Sequence, residues 1–265
     1  MSRRDLVLID GLLAAGSDVF ETADVATRLN LSPQATSNLL TRLVRQGLVD
    51  RVARGRYAIR QLGTLGTRAA SEDIALAVAA AFQGRPHRIA FRSALDHHGL
   101  LVYPSREVIV ATDTSTSLSM ISGRPTRIVI ETSERLGIRA VAAGHGARVS
   151  SVERALLESA ARPGLAGGID AVASALSLAD VDPDALMQLA RELGLRAGLH
   201  RLGSLATVLQ MGELASCLRP LTASGRVVSL DPEYPSDASR GAWRHAEWGV
   251  HWPYPASELL AATQN

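Results

Sequence analysis

Apolar residues recur at helical spacing through the first fifty positions, and the pattern is sharpest in Ser32–Arg60, SPQATSNLLTRLVRQGLVDRVARGRYAIR. Ser32 suits a helix N-cap and Pro33 the first helical position, where its missing N–H costs nothing. At 100° per residue, Leu39, Leu40, Leu43 and Val44 share one side, and Gln34, Ser37, Asn38, Thr41, Arg42 and Arg45 share the other. A helix over Ser32–Gln46 is therefore predicted, with the four apolar residues buried and Gly47 as its stop. After Gly47 the period changes to two. LVDRVARGRYAI alternates about Arg54-Gly55, as a hairpin does.

Upstream, Leu6, Ile9, Leu12 and Leu13 give an amphipathic helix over residues 3–15, broken by Gly16-Ser17-Asp18. Val19-Phe20-Glu21 reads as a short strand, with Thr22 capping a second helix that lays Val25, Ala26 and Leu29 on its neighbours. Helix, strand, helix, turn, helix, hairpin is the order of a winged helix-turn-helix. The polar side chains of its third helix are the types that read grooves: amides for adenine, hydroxyls for bases or phosphates, Arg for guanine or backbone. With Arg51, Arg54 and Arg56 on the ribbon, these residues form the expected DNA-binding set, with base contacts from the helix and phosphate contacts from the wing.

Gln61–Arg68, rich in Gly and Thr, reads as a linker. The division expected is residues 1–62 for DNA binding and residues 63–265 for a second, larger part. That part begins with a helix capped by Ser71 and closed by Gly84. A short extended piece and a helix through Ala94, Leu95 and His98 follow, then the β runs REVIVATD and TRIVIET and one or two short strands near IRAVAAGHGARVSS. A block of helices succeeds them: SVERALLESAAR, with Ser150 and Glu153 as a capping box, then IDAVASALS, PDALMQLARELG and GLHRLGSLATVLQMG. RVVSL and WGVHW return to extended structure about a Pro- and Gly-rich loop holding Trp243. The fold class expected is α+β: a winged helix followed by a mixed domain.

Composition narrows the function. Of 265 residues 46% are hydrophobic and 20% charged, with a net charge of +2, too little for wholesale coating of nucleic acid but enough for a local basic patch. Residues 1–60 hold nine Arg against six Asp or Glu, so geometry must focus the surplus. No lysine occurs. The single cysteine, Cys217, leaves no intramolecular disulfide and no Cys-rich zinc site, and its apolar surroundings suggest a buried small hydrophobe. The charged N-terminus does not read as a secretory leader, and no apolar run approaches the ~18 residues of a membrane span, so a cytoplasmic protein is expected.

Candidate chemistry is thin. Ser93, Asp96, His97 and His98 adjoin in sequence, but no nucleophile-elbow motif occurs. His97, His98 and His145 lack the spacing of a metal site. GLAGG lacks a phosphate loop's Lys and preceding strand and reads as a helix end. Asp113 ends a strand without a catalytic partner. No catalytic residue, metal or cofactor is assigned.

On these residues and their order the chain resembles the AbiEi-type antitoxins of type IV toxin–antitoxin systems and their stand-alone regulator relatives. The likeness lies in the winged helix, in REVIVATD, in RVSSVERALLESAARPGLAGGIDAVASAL with its Glu-Arg helix and Gly-Gly turn, in the Arg-Leu-Gly helix HRLGSLATVLQMG, and in the closing AEWGVHWP. It covers nearly the whole chain. One departure stands out: members commonly carry Asp after the paired leucines, where this chain has Glu158, which bears on any partner contact that needs the acid. The resemblance implies a repressor acting on inverted repeats in its own promoter. It also implies that the C-terminal domain counters a nucleotidyltransferase-like toxin without needing a stable complex. Two other readings compete: a winged-helix factor whose second domain senses a small molecule, and an enzyme with an accessory DNA-binding module. A neighbouring nucleotidyltransferase gene would favour the antitoxin over the sensor, and the lack of an assembled catalytic set weighs against the enzyme.

Overall fold

The computed structural model describes residues 3–14, 19–60, 73–219, 227–234 and 238–263. It has an α+β fold that opens with a winged helix-turn-helix: α1 (Arg3–Ala14), β1 (Val19–Glu21), α2 (Thr22–Leu29), α3 (Pro33–Arg45), β2 (Val49–Ala53) and β3 (Arg56–Ile59). The chain divides into two compact units, one of Met1–His87, Arg106–Ile130 and Ala142–Arg148, the other of Arg88–Ser105, Glu131–Val141 and Val149–Asn265. The expected linker at 61–68 lies outside the described residues.

In the first unit Leu8, Ile9, Leu12, Phe20, Val25, Leu39, Leu40 and Leu43 form one core with Leu48, Val49 and Ile59. Leu39, Leu40 and Leu43 are buried as their period requires, and Val44 is partly buried. In α1 the inward row is Leu8, Ile9 and Leu12; Leu13, expected inside, is 44% exposed because it lies one residue past that row. The side chain of Leu6 is outside the described residues. Glu21, not Thr22, occupies the cap of α2, its N–H bonded to the Asp24 carboxylate at 2.7 Å.

β1, β3 and β2 form an antiparallel sheet in that order, with Glu21 opposite Arg56 and Arg51 opposite Tyr57. The same unit holds α4 (Ile74–Phe82), which packs on β2 and β3. Asp73 caps α4 by accepting from the Leu76 N–H; Ser71, the expected cap, lies outside the described residues. β5 (Val108–Thr112) is buried at all five positions and pairs in parallel with β7 (Arg124–Ile130), which takes β6 (Met120–Ile121) antiparallel on its far side.

The second unit holds α5 (Phe91–His97), which follows β4 (His87–Ile89), and α6 (Ser133–Gly137), which precedes β8 (Ala140–Gly144) and β9 (Ala147–Ser150); β4, β8 and β9 each carry residues of both units. Ile89 of β4 pairs with Val149 of β9 in parallel. Then come α7 (Val152–Ala161), α8 (Ile169–Leu178), α9 (Pro183–Leu193), α10 (Arg196–Val208) and α11 (Gly212–Leu218). α7 and α10 approach closely: a Cβ on Gly198 would lie 2.5 Å from the Leu157 carbonyl oxygen. The tail forms β10 (Val228–Ser229), β11 (Trp243–His245), β12 (Val250–Trp252) and α12 (Ala256–Thr263). Trp243 is thus in a strand and not a loop, stacked on Trp252 opposite it at 5.3 Å. Cys217 is exposed, contrary to expectation, because α11 turns Leu214, Ala215 and Leu218 inward and Cys217 out.

Candidate nucleic-acid interface

The Ser32 hydroxyl accepts from the Ala35 N–H at 3.3 Å, so Ser32 and Pro33 start α3 as the sequence requires. With the apolar row fixed in the core, the opposite face is solvent-facing: Gln34, Ser37, Asn38, Thr41 and Arg45 are all exposed. Gln34 Nε2 donates to Asn38 Oδ1 at 3.2 Å, which leaves the Asn38 amide N–H₂ and the Gln34 carbonyl oxygen outside that bond. Arg51 and Arg54 are exposed on the wing.

Two of the nine expected residues are committed elsewhere. Arg42 sits on the edge of the exposed row, but its Nη2 is 2.5 Å from the carboxylate of Asp5, which is fully buried in α1. It therefore ties α3 to α1. Arg56 Nε meets Glu21 at 3.2 Å, and its Nη1 donates to the carbonyls of Ala80 (3.2 Å) and Ala81 (2.7 Å) at the end of α4. Carbonyls in the last turn of a helix carry partial negative charge, so this position suits a guanidinium. Arg54 and Arg56, equivalent by alternation, are therefore different: one is an open cation and the other a clamp.

The wing tip is held as well. Gly55, at φ +74°, accepts at its carbonyl from the Thr22 N–H (2.9 Å) and the Thr22 hydroxyl (3.2 Å). Thr22 was expected as a helix cap, and its role in fixing the tip is a contact that sequence spacing does not reveal. The register opposite Arg56 makes the Glu21 pair detectable only once the strand pairing is known.

The Glu-Arg helix is the other group of interest, and all its partners lie within the second unit. Glu158 is 3% exposed and accepts from Arg88 Nη1 (3.0 Å), the Ser150 hydroxyl (2.7 Å), the Phe91 N–H (2.9 Å) and Arg154 Nε (3.4 Å). Glu131 accepts from Arg88 Nη2 and Arg154 Nη2, both at 2.9 Å. Arg154 also donates to the carbonyls of Arg135 and Ile138, and Arg88 to Ser150. Burial works against the charge on both guanidiniums. For Arg88 the two carboxylates outweigh it and raise the pKa; for Arg154 burial, reinforced by the Arg88 charge, leaves it lowered. Ser150, expected as the cap of α7, is buried in this network, and Ser151 caps the helix instead, accepting from the Arg154 N–H at 3.3 Å. The acid that departs from the common pattern thus holds the interior together and is not offered to a partner.

The remaining candidates are dispersed. Asp96 accepts from the Ser105 N–H at 3.0 Å, His98 Nε2 lies 2.6 Å from the Ser150 carbonyl oxygen, and His145 lies 3.1 Å from Asp73. Asp113 accepts from the Thr114 hydroxyl. Among the described residues no three His, Cys, Asp or Glu side chains stand together as metal ligands, and no helix is long and apolar enough to cross a membrane.

Comparison with known proteins agrees with this layout. No curated protein sequence matches the chain. The crystal structure of the RV2827C protein from Mycobacterium tuberculosis superposes with a TM-score of 0.70 over 97% of this chain and 94% of that one, at 18% identity, which is a likeness of fold. Residues 8–60 match the family model of a transcriptional regulator, AbiEi antitoxin, and residues 88–208 match the AbiEi antitoxin C-terminal domain. With both family models found in order on one chain, this protein belongs to the AbiEi antitoxin family of transcriptional regulators.

Proposed function

We propose that the chain is a DNA-binding repressor that acts as the antitoxin of a type IV toxin–antitoxin system, with residues 1–62 as the DNA-binding domain and residues 63–265 as the antitoxin domain. It binds inverted repeats in its own promoter and counters a nucleotidyltransferase-type toxin functionally, without a stable complex. The observation that carries the DNA-binding role is the exposed row Gln34, Ser37, Asn38, Thr41 and Arg45 on a helix whose other side is locked in the core. Such a helix enters the major groove with its first turns on base edges. Gln34, Ser37 and Asn38 fall in those turns; Arg45, Arg51 and Arg54 meet phosphates. Arg42 and Arg56 support the surface from behind, through Asp5 and through Glu21 and α4.

The test is a titration of the protein against its own upstream duplex and a scrambled duplex at several salt concentrations. Asn38→Ala should cost about 1–3 kcal/mol on the upstream duplex and leave the scrambled one nearly unchanged, since a bidentate amide contact exists only at the right base. Arg54→Ala should weaken both duplexes alike and reduce the slope of log K against log salt by about one. Equal binding of the two duplexes by the unaltered protein would refute the repressor reading. A search of the adjacent genes for a nucleotidyltransferase-type toxin, followed by co-expression with it scored by growth, tests the antitoxin role separately.

A further inference from the structure

The Arg-Leu-Gly helix has a feature that regulation of a promoter does not use. α10 begins without a side-chain cap, Leu195 standing at the cap position with no acceptor to offer. Its first amide hydrogens and the positive end of a 13-residue helix dipole are therefore left at that end. A cavity of ≈ 500 Å³ opens there, lined chiefly by Arg196, Ala197, His200, Arg201, Val227 and Val228.

Arg201 is the informative wall. It is 5% exposed, yet its partners are carbonyls: Nε donates to Ser229 at 2.8 Å, and Nη1 to Ala160 (2.9 Å) and Ala161 (3.0 Å). Among the described residues no acceptor pairs with Nη2 and no carboxylate lies within ion-pair distance; Asp231 acts on the guanidinium only from farther off. Burial without a paired anion lowers its pKa to about 10, which still leaves it charged at neutral pH. A buried cation is ordinarily matched by an anion. His200, 2% exposed, contacts the Trp248 carbonyl through Nδ1 at 2.6 Å. A carbonyl only accepts, so Nδ1 carries the proton, and in the neutral ring Nε2 is an acceptor.

We propose that this cavity binds a small organic oxyanion, a carboxylate or phosphate group on an apolar body, with Arg201 as its buried counter-charge. The anionic oxygens accept from Arg201 Nη2, from Arg196 and from the open amides of α10. His200 Nε2 accepts from a hydroxyl on the ligand, and Ala197, Val227 and Val228 receive the apolar body. The role of Arg201 in closing the end of α7 uses Nε and Nη1, and accounts neither for the open Nη2 nor for the space beside it.

Hexanoate, hexyl phosphate and hexanol, titrated into the full chain at matched ionic strength, test the proposal by calorimetry and by the shift in Tm. Hexanoate or hexyl phosphate should bind and raise Tm while hexanol does neither, and the tighter of the two names the headgroup. Arg201→Ala removes the contacts to α7 and can unfold the chain. The informative variants are therefore Ala197→Phe, which fills the cavity, and Arg196→Glu, which reverses the charge at its mouth. Each should cut affinity at least tenfold with an unchanged far-UV spectrum. The proposal is overturned if neither oxyanion binds, if hexanol binds as well as they do, or if binding survives Ala197→Phe.

Discussion

Replacing Glu158 by Ala is the most demanding test of the interior. The carboxylate receives two guanidinium groups, a hydroxyl and a backbone N–H, and both arginines are essentially buried, Arg88 at 0% and Arg154 at 1% exposure. With Glu131, the set carries two positive and two negative charges, so it is neutral as it stands. The substitution leaves two buried cations on one acid and strips the Phe91 N–H of its acceptor. Breaking a buried pair on one side costs about 3–5 kcal/mol, an appreciable part of the ~5–15 kcal/mol that holds a domain folded. At a urea slope of roughly 2 kcal/mol/M this moves the midpoint down by roughly 1.5–2.5 M. Trp243, Trp248 and Trp252 are the chain's three tryptophans and all lie in the second unit, so their fluorescence reports the unit that contains the network. Glu158→Gln keeps the shape and isolates the charge, and should lose at least half as much. The paired change Glu158→Leu with Arg88→Met should recover part of the loss, because an apolar replacement removes both burial costs together. A loss below about 1 kcal/mol for Glu158→Ala would show that water or a shifted side chain satisfies these cations, and the network would not be the strut described.

Arg56→Ala should lower stability by roughly 1–3 kcal/mol through the lost carbonyl and Glu21 contacts, and leave the salt slope of DNA binding unchanged, in contrast to Arg54→Ala. Gly203→Ala places a methyl carbon 2.1 Å from the six-membered ring of the fully buried Trp248, whose Nε1 donates to Thr207 at 2.8 Å. Urea unfolding should show a loss of roughly 2 kcal/mol despite alanine's better helix propensity, with a changed tryptophan spectrum. Burial holds the pKa of His87 below its ordinary value, its Nδ1 bonded to the Arg85 carbonyl. Between the folded and ordinary values the unfolded chain binds the proton that the folded chain refuses. Stability should therefore fall as pH drops through the ordinary histidine range and level off below the folded value, and His87→Gln should flatten that part of the Tm profile.

What the sequence revealed follows the range of the forces involved. α3 was legible because its cap, its proline and its 3.6-residue period are local, and β5 because four consecutive apolar residues, Val108 to Ala111, admit burial on both sides. Local rules fail where a tertiary contact claims the residue they select. Ser150, with Glu153 three residues on, fits a capping box and Ser151, followed at that distance by Arg154, does not; Ser151 caps the helix all the same, because Glu158 and Arg88 reach Ser150 from other elements. In the interface, alternation named the basic residues but could not distinguish Arg54 from Arg56, or Arg45 from Arg42. That distinction depends on Glu21, on the end of α4 and on Asp5, each brought in by the tertiary fold. Position 203 of the Arg-Leu-Gly stretch needs glycine because the indole of Trp248, from the turn between β11 and β12, fills the space.

The Thr22 bonds to Gly55, together with the Arg56 clamp, bear on how quickly the protein can find its site. A hairpin anchored at its tip and along one strand has little backbone freedom left to lose when it meets a duplex. The ordering cost of association then falls on side chains such as Arg51 and Arg54, not on the loop that carries them. In the proposed role such a wing would meet DNA as a rigid template, and a wrong sequence would be released for want of matching contacts rather than retained by induced fit.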